Sequence, residues 1–217
     1  MQAQLPGDWS LVDLQNHLGG IPLGRIRLFP PPGYATAQDV IDIQEQEDRL
    51  YELTDGILVE KTRGWYESLL AGLILTRLNV FLETHDLGLA LGADGTLKIL
   101  PGMVRIPDVS FIRWERLPAE PLPRRPVPER VPDLAVEVLS EGNTEAEMQG
   151  KLEMYFQAGV RLVWYIDPRT RSAKSYTSLT EVTLVDEHGV LDGSEVLPGF
   201  RLSLPQLFAI ADRRKPG

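Results

Sequence analysis

The sequence predicts a mixed α/β (α+β) domain, in which a mixed β-sheet is flanked by helices, preceded by an N-terminal helical extension and followed by antiparallel strands. Three observations carry this. The run Trp65–Leu82 places Leu69, Leu70, Leu73, Ile74, Leu78, Phe81 and Leu82 at a helical period, the longest such pattern in the chain. Short strand-like runs separated by turn residues follow it, and a second helical pattern then sits between two strongly apolar strands. The resulting order of helix, strands, helix, strand is not a repeated βαβ array.

Residues 1–48 read as an extension. Residues 9–18 suit one short helix, and Pro22 with the run Pro30, Pro31, Pro32, Gly33 makes a linker or turn. Thr36 and Asp39 form a capping pair for a helix over 37–47, whose apolar face is Val40, Ile41 and Ile43. The main domain, 49–217, opens on a hairpin over 49–61, with Leu50, Tyr51 and Leu53 facing Ile57, Leu58 and Val59 around Thr54, Asp55 and Gly56.

After the long helix, with Glu67 in its first turn, strands are expected over 88–92, 96–100 and 108–113, separated by Asp94-Gly95 and Pro101-Gly102. A loop rich in proline and arginine fills 117–132. LAVEVLS, residues 134–140, is an apolar strand interrupted by one carboxylate, Glu137. Thr144 and Glu147 make a capping box for a helix to Ala158, with Met148, Leu152 and Tyr155 on one face and Gly159 as its stop. A buried strand follows over 160–167, further antiparallel strands over 172–185 and 196–204, and a closing helix over 205–210.

Composition narrows the chemistry. The chain has 217 residues, 43% hydrophobic and 24% charged, which suits one soluble folded domain with an extension. It has no cysteine, which excludes disulfide scaffolds, thiolate zinc sites, iron–sulfur clusters and cysteine nucleophiles. His17, His85 and His188 are scattered and form no HxxxH pair, so any metal must take oxygen ligands. There is no GxGxxG or GxxxxGKS sequence. The N-terminus lacks a basic flank before an apolar run, and no stretch of about 18 apolar residues occurs, so the expectation is a cytoplasmic protein with no membrane partner.

The net charge of -9 counts against bulk attraction to nucleic acid. Residues 1–60, however, hold 3 basic and 10 acidic residues, so the other 157 carry only -2. Acidic clusters that bind cations also lose negative potential. Net charge therefore does not decide the partner.

Two carboxylates stand at unusual places. Asp108 follows Pro107 at the start of one strand, and Glu137 lies inside the most apolar strand of the chain. A lone buried carboxylate is costly unless a cation or hydrogen-bond donors compensate it. Adjacent strands would bring the two to one cation; alternatively Asp108 caps a turn and Glu137 pairs with an arginine or accepts hydrogen bonds.

RIPDVSFI (residues 105–112), DLAVEVLSEGNT (133–144) and KLEMYFQAGVRLVWYIDP (151–168) resemble the Uma2 family of endonucleases, formerly a domain of unknown function. The resemblance runs from about Tyr51 to Tyr176 and implies a restriction-endonuclease-like core of the PD-(D/E)xK superfamily: helix, three strands, helix, strand. By match, Pro107-Asp108 is the PD element and Glu137 the (D/E) element. The lysine expected two positions on is absent, since that place is Leu139, and the resemblance implies one supplied by the next helix, Lys151. Lys151 lies at the edge of the face carrying Met148, Leu152 and Tyr155; its bland role is a solvated helix lysine. Where many relatives carry a histidine near the start of the long helix this chain has Tyr66, and Glu67 is the candidate helix carboxylate.

The implied function is a Mg²⁺-dependent endonuclease, with Mn²⁺ as an alternative cation, acting on DNA, with Asp108 and Glu137 as metal ligands and Lys151 and Glu67 as further catalytic residues. A homodimer stays open. Oxygen-only ligands suit such cations, which polarise a phosphodiester and stabilise its leaving oxygen. Arg113, Arg116, Arg124, Arg125 and Arg130 are a candidate phosphate-contacting segment, although Glu115, Glu120 and Glu129 equally suit a solvated charged loop. The rivals are a non-catalytic binding or regulatory module that keeps the nuclease fold, and a metal-dependent hydrolase of small phosphate esters.

Overall fold

In the computed structural model of the protein, which describes residues 5, 6, 8–62, 64–117, 122, 124 and 126–213, two capped helices occupy the extension. Helix α1 (Leu11–His17) starts at Ser10, whose side chain accepts from the Asp13 N–H while the Asp13 carboxylate accepts from the Ser10 N–H. Thr36 and Asp39 repeat that reciprocal box at α2 (Ala37–Glu47), which has the expected bounds. Between them runs β1 (Ile26–Arg27).

The hairpin is β2 (Tyr51–Thr54) and β3 (Ile57–Glu60). It is buried on both faces: Leu53 and Leu58 pack with Val40 and Ile43 of α2, while Ile57 and Val59 pack with Leu14, Leu18 and Ile21. Helix α3 (Trp65–Leu82) and strand β4 (Gly88–Leu91) follow. The expected 96–100 strand is β5 (Leu97–Leu100), and an unexpected partner, β6 (Met103–Arg105), folds back from it. These two leave the main sheet and complete a five-stranded antiparallel sheet in the order β1-β3-β2-β6-β5.

The second sheet holds the core. It adds β7 (Val109–Arg113), β8 (Leu134–Val138), β9 (Leu162–Asp167), β10 (Ser172–Tyr176) and β11 (Val182–Val185) to β4, in the order β11-β10-β9-β8-β7-β4. Only β8 and β9 are parallel, joined by the crossover helix α4 (Glu145–Ala158). Parallel neighbours buried on both faces explain why these two strands read as near-continuous apolar runs. One face, with Val136, Val138, Trp164 and Ile166, packs on α3 and the closing helix α5 (Leu204–Ala211). The other, with Ala135, Val163 and Tyr165, packs on Met148, Leu152 and Tyr155 of α4 and on β5. At the tail, the strand expected over 196–204 is shorter: β13 (Arg201–Ser203) pairs with β12 (Val190–Asp192) in a separate ribbon. No helix among the described residues is long and apolar enough to cross a membrane.

Helix α4 ends at Gly159, whose positive φ of 94° glycine adopts without strain. Its start departs from the expected box. Thr144 accepts from the Glu147 N–H, but the Glu147 carboxylate turns away to Arg25, which binds it through two nitrogens at 3.0 and 2.8 Å. The charge-assisted fork outcompetes a single bond to the cap N–H. Arg25 also donates to the Glu60 and Gly142 carbonyls, and Gly19 lies so close to α4 that a Cβ there would meet the Glu147 nitrogen at 2.4 Å. The extension thus buttresses the start of α4. Arg25→Ala, which strands a buried carboxylate, is expected to cost about 3–5 kcal/mol in chemical denaturation; a loss under about 1 kcal/mol, the range of exposed pairs, would show that water already solvates Glu147.

Candidate active site

The β7–β8 register, with Val109 opposite Val136, continues to Asp108 opposite Glu137. Both carboxylates point to the α4 face of the sheet and line a cavity of about 250 Å³, together with Lys61, Gly64, Glu67, Ser140 and Lys151. Asp108 Oδ2 accepts from the Val138 N–H at 2.7 Å, and Asp108 Oδ1 lies 2.9 Å from Lys61 Nζ. Glu137 accepts from the Tyr155 hydroxyl at 2.5 Å, and its other oxygen is 3.8 Å from Lys151 Nζ. Lys151 is buried and makes a closer pair, at 3.0 Å, with Glu52 of β2.

Glu52 and Lys61 bring the first sheet into the site. Glu52 accepts from the Ile106 N–H at 3.1 Å, while Lys61 Nζ donates to the Ile106 carbonyl. The hairpin therefore grips the backbone just before Asp108 from both sides and fixes where that carboxylate emerges.

Burial dominates the electrostatics. It raises the Glu137 carboxyl, Asp108 and Glu52 add to the rise, and Lys151 and Lys61 offset only part of it, so Glu137 is pushed up to about 7. Burial also works against charged Glu52, but Lys151, Arg105 and Lys61 outweigh it and hold Glu52 down at about 2. Burial opposes the Lys151 ammonium, yet Glu137, Glu52 and Glu147 raise its affinity for the proton above the ordinary lysine range. Burial, then Glu137 and Glu52, push the Tyr155 hydroxyl well up, so it serves as a donor.

The raised Glu137 has a consequence for stability. The folded, metal-free protein retains this proton where the unfolded chain releases it near 4.5. Its stabilising contribution is therefore full below about pH 4.5 and lost as pH rises through about 7, a change of a few kcal/mol. Glu137→Gln is expected to flatten that decline in denaturation series run in EDTA between pH 5 and 9. Identical profiles for the two proteins would place the titration on another group.

Of the expected site residues, Asp108, Glu137 and Lys151 come together, and Glu67 lines the same cavity from the first turn of α3. The Glu67 carboxylate folds back over Gly64, where a Cβ would sit 1.7 Å from Oε2. Lys151 is not the solvated lysine of its bland role. Leu139, in the place of the missing lysine, packs against the α4 cluster, so a lysine there would compete with that packing. Tyr66 turns away, donating to Asp212 at 2.6 Å.

Two members of the arginine segment, Arg113 and Arg116, lie away from the carboxylates. Arg113 ends β7 at the far side from Asp108, about 17 Å along the strand. It binds Glu115, while Arg116 pairs with Asp133 and donates to the Gly159 carbonyl. Arg130 donates to the Glu129 carbonyl, and Lys98 pairs with the Glu129 carboxylate. Arg125 and Glu120 lie outside the described residues.

Glu52 and Lys61 escaped the sequence reading. Glu52 carries the same signal as Glu137, one carboxylate in a strand whose four residues are all buried. Lys61, at a strand end where lysine is common, carries no comparable mark.

A divalent cation suits this set of oxygen donors. Among the described residues no three histidine, aspartate or glutamate side chains converge as a ready-made cage. Mg²⁺ and Mn²⁺ need fewer, since one or two carboxylates hold them while waters and substrate oxygens fill the remaining positions. Asp108 and Glu137, side by side on adjoining strands and lining one cavity, meet that requirement.

Comparison with known proteins bears on the fold and the family. No curated protein matches the chain. A crystal structure described as a putative nuclease belonging to DUF820 from Anabaena variabilis superposes with a TM-score of 0.67 at 18% identity, covering 76% of this chain and 92% of that one. This likeness establishes a shared nuclease-like fold. Residues 37–205 match the family model described as "Uma2: Putative restriction endonuclease", a span that includes α2, the hairpin, both carboxylate strands and α4. With most of its length inside that match and its carboxylates set at adjoining strands of the shared fold, the chain belongs to the Uma2 family.

Proposed function

We propose that the protein is a Mg²⁺- or Mn²⁺-dependent endonuclease that hydrolyses phosphodiester bonds in DNA, with Asp108 and Glu137 as the metal ligands and Lys151 as the migrated catalytic lysine. The observation that carries this reading is the convergence of Asp108, Glu137 and buried Lys151 on one cavity. An ammonium buried among carboxylates is an expensive way to fill a scaffold, which favours catalysis over a retained, inactive module.

A cation held by Asp108 and Glu137 would supply Lewis-acid polarisation of a phosphoryl oxygen and neutralise developing negative charge. The chain's own groups do the rest. The Val138 N–H orients Asp108, and the Tyr155 hydroxyl orients Glu137. Glu52 holds Lys151 at the cavity wall, where its ammonium offers hydrogen bonds and charge to an oxygen of the reacting phosphate. Glu67 adds a carboxylate from α3 for a water or a second cation.

The test compares duplex DNA, RNA and a small phosphodiester, each with Mg²⁺, Mn²⁺ or EDTA. Internal cleavage of DNA with either metal and none in EDTA is expected. Hydrolysis of the small ester alone would move the protein to the phosphoesterase reading, and no hydrolysis of any substrate would favour the binding module.

A further inference from the structure

We propose that Lys61 is an internal counter-cation: it occupies Asp108 in the free protein and passes to the substrate phosphate when a divalent cation arrives, so that metal and phosphodiester bind cooperatively. This rests on the reading of Asp108 and Glu137 as metal ligands.

Both Asp108 oxygens are already engaged. Oδ2 takes the Val138 N–H, which is part of the backbone and stays, whereas Oδ1 takes Lys61 Nζ at 2.9 Å. A divalent ion on Asp108 would sit within a few ångströms of that ammonium and repel it strongly in a low-dielectric site. The two site lysines differ in how they are held. Lys151 lies between two carboxylates, Glu52 and Glu137, and keeps Glu52 when a metal claims Glu137. Once Lys61 leaves Asp108, the hydrogen bond it keeps is to the neutral Ile106 carbonyl, and the Glu52 and Glu137 carboxylates act on it only from beyond ion-pair contact. A buried ammonium that loses its contact ion pair is costly, so metal binding to the empty site is penalised.

The same side chain lines the cavity, and its flexible stem can turn the ammonium inward without moving the strand. A phosphate there would restore an anionic partner. Substrate then removes the penalty that the metal meets, and by linkage metal raises the affinity for substrate by the same factor.

The test measures Mn²⁺ affinity by electron paramagnetic resonance, with and without deoxythymidine 3′,5′-bisphosphate as a phosphate-bearing probe. In the wild-type protein the probe is expected to tighten Mn²⁺ binding by roughly 5- to 100-fold, the usual span of coupled sites. Lys61→Gln and Lys61→Met should bind Mn²⁺ more tightly than wild type without the probe, by about the factor they lose in coupling, while Lys61→Arg keeps both properties. Wild-type protein whose Mn²⁺ affinity ignores the probe overturns the proposal without needing any variant to fold. Neutral variants that bind Mn²⁺ no more tightly than wild type overturn it as well. In both cases the ligand assignment stands if Asp108→Asn and Glu137→Gln weaken Mn²⁺ binding; if they do not, the metal-ligand reading itself is wrong and the proposal falls with it.

Discussion

Glu137→Gln and Asp108→Asn are each expected to lower metal-dependent DNA cleavage by on the order of 10³-fold while leaving a folded protein. The surroundings say why folding survives. With Glu137 neutral, Lys151 still has Glu52 at 3.0 Å and the Tyr155 hydroxyl still has an oxygen acceptor. With Asn at 108, the Val138 N–H keeps its acceptor. Alanine is the harsher change at 108, because it removes the acceptor of the Val138 N–H as well as the charge beside Lys61, whereas asparagine loses the charge alone. Circular dichroism and cleavage at saturating Mg²⁺ are the two readouts. Variants that fold and retain activity within tenfold of wild type would remove both residues from the metal site.

Lys151→Met should lose turnover by roughly 10²- to 10³-fold while Mn²⁺ binding survives, because the methionine stem keeps the packing and the ligands stay in place. A second effect follows from the pair with Glu52. Removing the ammonium leaves that carboxylate buried without its nearest cation, a loss of about 3–5 kcal/mol. Glu52→Gln combined with Lys151→Met should therefore recover most of the stability and none of the activity. That split separates a lysine that acts on substrate from one that only balances charge. Wild-type cleavage by Lys151→Met at saturating Mg²⁺ would end the migrated-lysine mechanism.

How far the sequence led depended on whether the deciding contacts were local. Thr36 with Asp39, the 65–82 period and Gly159 are signals within a few residues of what they determine, and α2, α3 and the end of α4 appear where those signals placed them. Asp108 and Glu137 were legible because a charge in an apolar strand contradicts its surroundings. Glu52 sent a similar signal from a shorter and less apolar strand, and nothing local reveals that both faces of the hairpin are covered. Glu147 shows the limit most plainly. Its spacing from Thr144 spelled a capping box, but Arg25, distant in sequence, takes the carboxylate, with the Asn143 amide donating to it as well. Arg113 and Arg116 are near Asp108 in number and far from it in space, because an extended strand carries its two ends apart.

The grip of the hairpin on the Ile106–Asp108 segment joins pieces that the chain itself keeps well separated. Glu52 reaches the Ile106 N–H across 54 residues, and Arg25 reaches Glu147 across 122. Each contact of that span closes a long loop, and the entropy of that loop opposes it. Asp108, Glu137 and Lys151 meet when the second sheet and its crossover helix form, so the N-terminal sheet supplies their anchoring: Glu52 on Lys151 and Lys61 on Asp108. A partial opening that lifts the N-terminal sheet would free Lys151 from Glu52 and Asp108 from Lys61 and leave the hydrophobic centre closed, so an opening short of unfolding is enough to loosen the site.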